Sequence, residues 1–378
     1  MTQTKVEAPF VEGGGGSSFK NLLINGDMQI WQRATAATAS TSGYATVDRW
    51  QVNESSDGAI TSEQSALSTA DKATTGCRNA LLIKCTTTDS SIASGQFSYL
   101  AQGMEGQFLS HLGWGTTSAK TLTLSFWVKA YVAGTYTVGF KKYDNTAYFL
   151  PIEYTISSSN TWEKKTIEVS PTSGSTSLIT GANGAFDQDN GIALLLTFGL
   201  AWGSTYHGTS GTWASGAHFS TSNQTNFLSS TSNTFYLTGV QLEVGDQATD
   251  LEQVPFDVQL ERCRRYCQQH TSASGDYYGY GVGHAASGNL NISHMQLHPN
   301  MRAAPTLETS STAGDFAIYS QNSGVDACDA LPAINGAGDT GSGGVRLQFT
   351  ATGDITADNI HENISNNAVT FIRFTAEL

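Results

Sequence analysis

Charge and helix-forming composition are what this 378-residue sequence has least of. Only 13% of residues are charged and only 39% are hydrophobic, the balance being Ser, Thr, Gly and Asn. That composition suits short strands joined by many turns, not helices built from Ala, Glu, Lys and Leu. Basic residues are scarcer still: 19 Lys and Arg face 32 Asp and Glu, a formal net charge of −13. An acidic surface is a poor partner for phosphate backbones and anionic lipid, so neither nucleic acid nor membrane is expected as a partner. No long hydrophobic run exists either. The longest, "IALLLTFGLAW" at 192–202, is too short to span a bilayer and reads as a buried strand. Cysteine is sparse and odd in number, five in all. With no apolar leader in residues 1–20, reduced thiols in a protein made in the cytoplasm are expected, not a disulfide framework.

What is present is alternation. In "TLTLSFWVKA" (121–130) Leu122, Leu124, Phe126 and Val128 share one face, and "TYTVGFKKY" (135–143) repeats the pattern with Tyr136, Val138 and Phe140. Further strands are expected at 78–85, 162–170, 192–200 and 235–244. Their spacing predicts an antiparallel sandwich or jelly roll over 21–250. A second strand-rich block, 272–378, is long enough for one smaller sandwich. The expected architecture is therefore all-β: two antiparallel sandwiches joined by a short α-helix within 251–271. An extended N-terminal arm, 1–20, carries the four-glycine hinge Gly13 to Gly16.

The helix is predicted in "PFDVQLERCRRYCQQ" (255–269). Proline suits a first helical turn, and Phe256, Leu260, Cys263 and Cys267 fall on one stripe. That stripe either packs on the chain's own sandwiches or forms a seam between copies around a symmetry axis.

Several stretches resemble landmarks of known proteins. "NLLINGDMQIWQR" (21–33), "VDRW" (47–50), "LSFWVKA" (124–130) and "FYLTGVQLEVGDQATDLEQVPFDVQLERCRRYCQQ" (235–269) look like recurring features of tailed-bacteriophage virion proteins. In those proteins a jelly roll similar to carbohydrate-binding modules is followed by a short helix. "LHPNMRAAPTL" (297–307) and "FIRFTAEL" (371–378) resemble signatures of phage tail-fibre and appendage proteins. The resemblance implies a non-enzymatic virion component, made in the bacterial cytoplasm, with a role in host attachment. A homotrimer is expected, since the short helical seam buries apolar area only when shared, held to other virion proteins through the arm. The resemblance leaves open a head-attached fibre or capsid decoration protein, or a depolymerase of host polysaccharide. It also implies that "NLLINGDM" and "FYLTGVQLEV" are first and last strands lying side by side.

For chemistry, aromatic side chains that stack on sugar rings are the main candidates: Trp202, Tyr206 and Trp213 at the start of the long loop 203–234, and Tyr277 and Tyr278 at the opening of the second block. No nucleophile elbow or acid pair marks a catalytic site. No metal site and no cofactor are expected, with calcium the one exception weighed, at Asp27 and Glu243. Cys263, Cys267 and His270 lack a fourth zinc ligand, and His294 and His298 lack the glutamate of a metalloprotease motif.

Overall fold

The computed structural model describes residues 19–37, 42–272, 278–321, 324–335, 340–351, 355, 359–367 and 370–378. Two six-stranded antiparallel sheets make the first sandwich. One runs in the order 36–37, 59–66, 79–87, 234–244, 122–130 and 163–169. The other runs 214–215, 148–156, 134–142, 192–202, 97–105 and 51–55. The alternation read from sequence is the alternation of burial. Leu122, Leu124, Phe126 and Val128 of one sheet, and Tyr136, Val138 and Phe140 of the other, all point into one core and are fully buried. Residues 21–28 do lie beside 234–244, through Leu22 N–H to Leu242 O (2.9 Å) and Val240 N–H to Gly26 O (2.8 Å), but they form no strand. Asn25 and Met28 have positive φ of 58° and 57°, and a Cβ on Gly26 would overlap the Val240 carbonyl oxygen, so the chain coils there instead of extending.

The second block is a smaller all-β module. Strands 267–271, 371–375 and 306–309 form a three-stranded sheet. An eight-stranded sheet contains 324–327, 316–320, 360–365, 279–287, 290–296, 344–350 and 333–334 in that order, with 340–341 joining at 344–350. Phe316, Ile318, Leu347, Phe349, Ile372 and Phe374 fill the core between them.

The helix spans Phe256–Arg264, shorter than its sequence pattern, because Cys267–Thr271 pairs with Phe371–Thr375. Pairing with a distant strand outweighs local helix preference here. The stripe is thereby broken. Phe256 is exposed and Leu260 half-buried, whereas Cys263 and Cys267 are fully buried inside the chain, which removes them from any seam between copies. All five cysteines are buried, unbridged thiols.

The two modules are clasped by a buried ionic network that joins two of the sequence landmarks. Asp48 and Arg49, neighbours in "VDRW", do not pair with each other. Arg49 pairs with Glu377 of the closing "TAEL", and Arg33, 344 residues from Glu377, reaches the same carboxylate at 2.8 Å. Asp48 lies 3.8 Å from Arg33 and accepts the Gln32 backbone N–H at 3.0 Å. On the other side of Arg49, its guanidinium stacks over the Tyr266 ring at 3.5 Å. Arg265 forks onto Glu105 with contacts of 2.9 and 2.7 Å, and the Tyr266 hydroxyl donates to the same carboxylate. Arg302 donates to the Ala376 and Glu377 carbonyls, each at 2.8 Å. The helix end is thus a clamped junction between the modules.

Burial raises the Asp48 carboxyl to about 6 despite the opposing pull of Arg33. The folded protein then binds a proton between about pH 6 and 4 that the unfolded chain does not bind. This group's contribution to stability is therefore present at low pH and lost as pH rises through 6. Wild type should gain on Asp48→Asn by up to about 3 kcal/mol between pH 7 and pH 4, measured by urea denaturation. An unchanging difference would contradict this.

Candidate functional site

The strand Phe97–Glu105 alternates Phe97, Tyr99 and Ala101 against core-facing Leu100, so its two aromatics stand on the outer face of their sheet. Neighbouring Ile192–Trp202 ends at Trp202, whose register partner is Phe97. The loop that follows does not project into solvent. It folds back over this outer face, where Ser220 and Gln224 meet the Thr137 hydroxyl at 3.1 and 2.6 Å. The approach is close enough to need glycine at 139, where a Cβ would stand 2.9 Å from the Phe219 carbonyl oxygen and 2.6 Å from Thr197 Oγ1.

Phe219 comes down from this loop parallel to Trp202, with centroids 5.1 Å apart and planes 2° apart. Tyr99 stacks on Trp202 at 4.7 Å and 12°. Tyr206 lies 5.0 Å from Trp202 and edge-on to Phe97 at 5.8 Å, and Phe149 meets Phe219 edge-on at 5.1 Å. Trp202 is buried, while Phe97, Tyr99, Tyr206 and Phe219 are half-buried around it. Two buried N–H donors at this patch find no acceptor in the chain: Trp202 Nε1, and Nδ2 of Asn53, which sits across from Tyr99. Burial pushes the Tyr99 hydroxyl up to about 12, so it stays a neutral donor. The half-buried flat rings suit a ligand that has apolar C–H faces.

Of the five aromatics expected to bind glycan, Trp202 and Tyr206 belong to this patch. Trp213 does not: it is a core residue, 1% exposed, with Nε1 donating to Ser170 O at 2.9 Å and its ring edge-on to Trp114. Tyr278 is exposed beside Tyr280 in the second module, on another sheet, and Tyr277 lies outside the described residues. Phe97, Tyr99 and Phe219 were missed. The signal for the first two was available, since two aromatics at i and i+2 of "QFSYL" must share a strand face.

The metal candidates do not converge. Among the described residues no group of three or more His, Cys, Asp or Glu could hold an ion. Glu243 is occupied by the Thr249 N–H (2.8 Å), the Thr249 hydroxyl (2.6 Å) and Gln241 Nε2 (2.8 Å), while Asp27 accepts from Gln29. Burial, with Arg264 adding to it, lowers His270 to about 4, and its ring packs on Phe374. His294 is exposed on a strand, and His298 lies beyond that strand, 3.9 Å from Glu261.

No family model matches the sequence, and neither does any curated protein. Among solved structures, a protein from Bacteroides thetaiotaomicron described as sugar-binding is 14% identical, covering 60% of this chain and 100% of its own, with a TM-score of 0.33. The enzymatically active domain of bacteriophage CBA120 tailspike protein 4 is 10% identical over 60% of this chain, with a TM-score of 0.30, and the match spans 22% of that chain. The family 11 carbohydrate-binding module of Clostridium thermocellum, in complex with a mixed-linked tetrasaccharide, is 11% identical over 58% of this chain and 99% of its own, with a TM-score of 0.27. Similarity at this level carries no argument, and the fold stands on the strand order and register above.

Proposed function

We propose that this protein is a non-enzymatic component of a tailed-phage virion, a tail fibre or appendage whose first sandwich holds glycan of the host surface. One observation carries the glycan part: the half-buried aromatic patch of Phe97, Tyr99, Tyr206 and Phe219 around Trp202. Stacking of the rings on sugar faces supplies the affinity. The acidic net charge of −13 favours a neutral or basic glycan over a polyanionic one. The virion part is supported by the sequence landmarks. Two of them, "VDRW" and "TAEL", also have a structural task, since they build the clasp between the modules. Residues 1–20 are assigned to anchoring on other virion proteins. Purified virions should yield peptides of this chain, and virions assembled with only a version lacking residues 1–18 available should yield none. Particles free of the full-length chain would defeat the assignment.

A further inference from the structure

The aromatic patch lies on the first sandwich, but the two most exposed large hydrophobic side chains among the described residues lie on the second. Ile360, Val282 and Tyr319 are 75%, 61% and 44% exposed, and all three stand on the outer face of the eight-stranded sheet. The registers place the side chains of this face in two rows across five adjacent strands. The first row reads Tyr319, Glu362, Val282, His294, Arg346, with Val282 placed opposite His294 by the pairing of Gly283 with Ser293. The second row, two residues further along each strand, reads Ile360, His284, Ile292, Gln348. Strand spacing makes the first row about 19 Å wide.

The two rows are self-complementary about the central strand Gly279–Ser287. A two-fold axis lying in the face and parallel to that strand exchanges positions to its left and right while keeping each row. Glu362 of one copy then meets His294 of the other. Tyr319 meets Arg346, a ring against a guanidinium. Ile360 meets Ile292, and Val282 meets Val282. A carboxylate with an imidazole, cation with ring, and apolar with apolar fall together in one operation, with His284 meeting its own copy beside the Val282 pair, and the two sheets stack with aligned strands as sandwich sheets do. A patch built for an unrelated partner has no reason to match its own rotated copy.

From this we infer that the outer face of the eight-stranded sheet binds a second copy of the same chain through an isologous contact centred on Val282. This contact is distinct from the helical stripe, whose Cys263 and Cys267 are internal. It is also independent of the glycan patch on the other module.

Sedimentation velocity of the full chain across a dilution series tests it. Wild type should show reversible dimerisation. Val282→Asp, which places two like charges at the axis, should remain monomeric, with an unchanged circular dichroism spectrum showing that it folds. Glu362→Arg and His294→Glu should each weaken the dimer by about tenfold or more, and the double variant should restore it, because every contact pairs residue 362 of one copy with residue 294 of the other. A wild type that stays monomeric at all concentrations, a folded Val282→Asp that still dimerises, or a double variant no stronger than either single variant overturns the inference.

Discussion

Glu377→Gln should lower the stability of the whole chain by about 3–5 kcal/mol, a large part of the total for a natural protein. The carboxylate neutralises both Arg33 and Arg49, whose side chains are 4% and 1% exposed. The amide leaves two guanidiniums out of water with only Asp48, 3.8 Å from Arg33, as a nearby anion. Removing one partner of a buried pair costs far more than the pair contributes, because the remaining charge has lost both its hydration and its counter-charge. Urea denaturation reads the effect directly. A loss below about 1 kcal/mol would show that water reaches the clasp.

The double variant Phe97→Ala, Tyr206→Ala should weaken glycan binding by about 30- to 150-fold, taking each ring as about 1–1.5 kcal/mol of stacking. Both rings are half-buried at the rim of the patch, so removing them withdraws ligand contact while leaving buried Trp202 stacked on Tyr99 and Phe219. Glu377→Gln is the matching control, because it loosens the clasp without touching the patch and should keep its affinity at temperatures where it is folded. Unchanged binding in the aromatic double variant would move the site elsewhere.

The strands that sequence made legible are those with a strict period of two and large apolar residues, such as Leu122–Ala130 and Gly134–Lys142. Those it hid break one of these conditions. Ala59–Ala66, "AITSEQSA", is largely polar along its second half, and Tyr148–Ile156 contains Pro151. Proline is tolerated there because the flanking strand 214–215 pairs only with Tyr148 and Phe149, so no ladder donor is needed at 151. The short helix Thr69–Thr75, capped by Ser68 and closed by Gly76, is only seven residues long and carries no apolar stripe. The longer helix was visible, but its end was not, since Gln268, Gln269 and His270 have no local reason to be extended and are so only because Phe374, Arg373 and Ile372 pair with them.

The candidate site divides in the same way. Trp202 and Tyr206 could be singled out as aromatics at the edge of a long loop, but whether a loop aromatic faces solvent or core is decided by tertiary folding. Trp213, eleven positions after Trp202, went into the core, and Phe219 went onto the patch. The clasp was equally hidden. "VDRW" suggests an Asp48–Arg49 pair, yet the chain turns at these two residues, with Arg49 at a φ of 72°, and each found its partner elsewhere.

Titration of purified full-length protein with polysaccharide extracted from the host envelope, followed by calorimetry, tests the central claim most directly. Saturable binding is predicted, lost in the Phe97→Ala, Tyr206→Ala variant and retained in Val282→Asp, with the polysaccharide chain length unchanged after long incubation. Absence of binding, or equal binding by wild type and the aromatic double variant, would contradict the account.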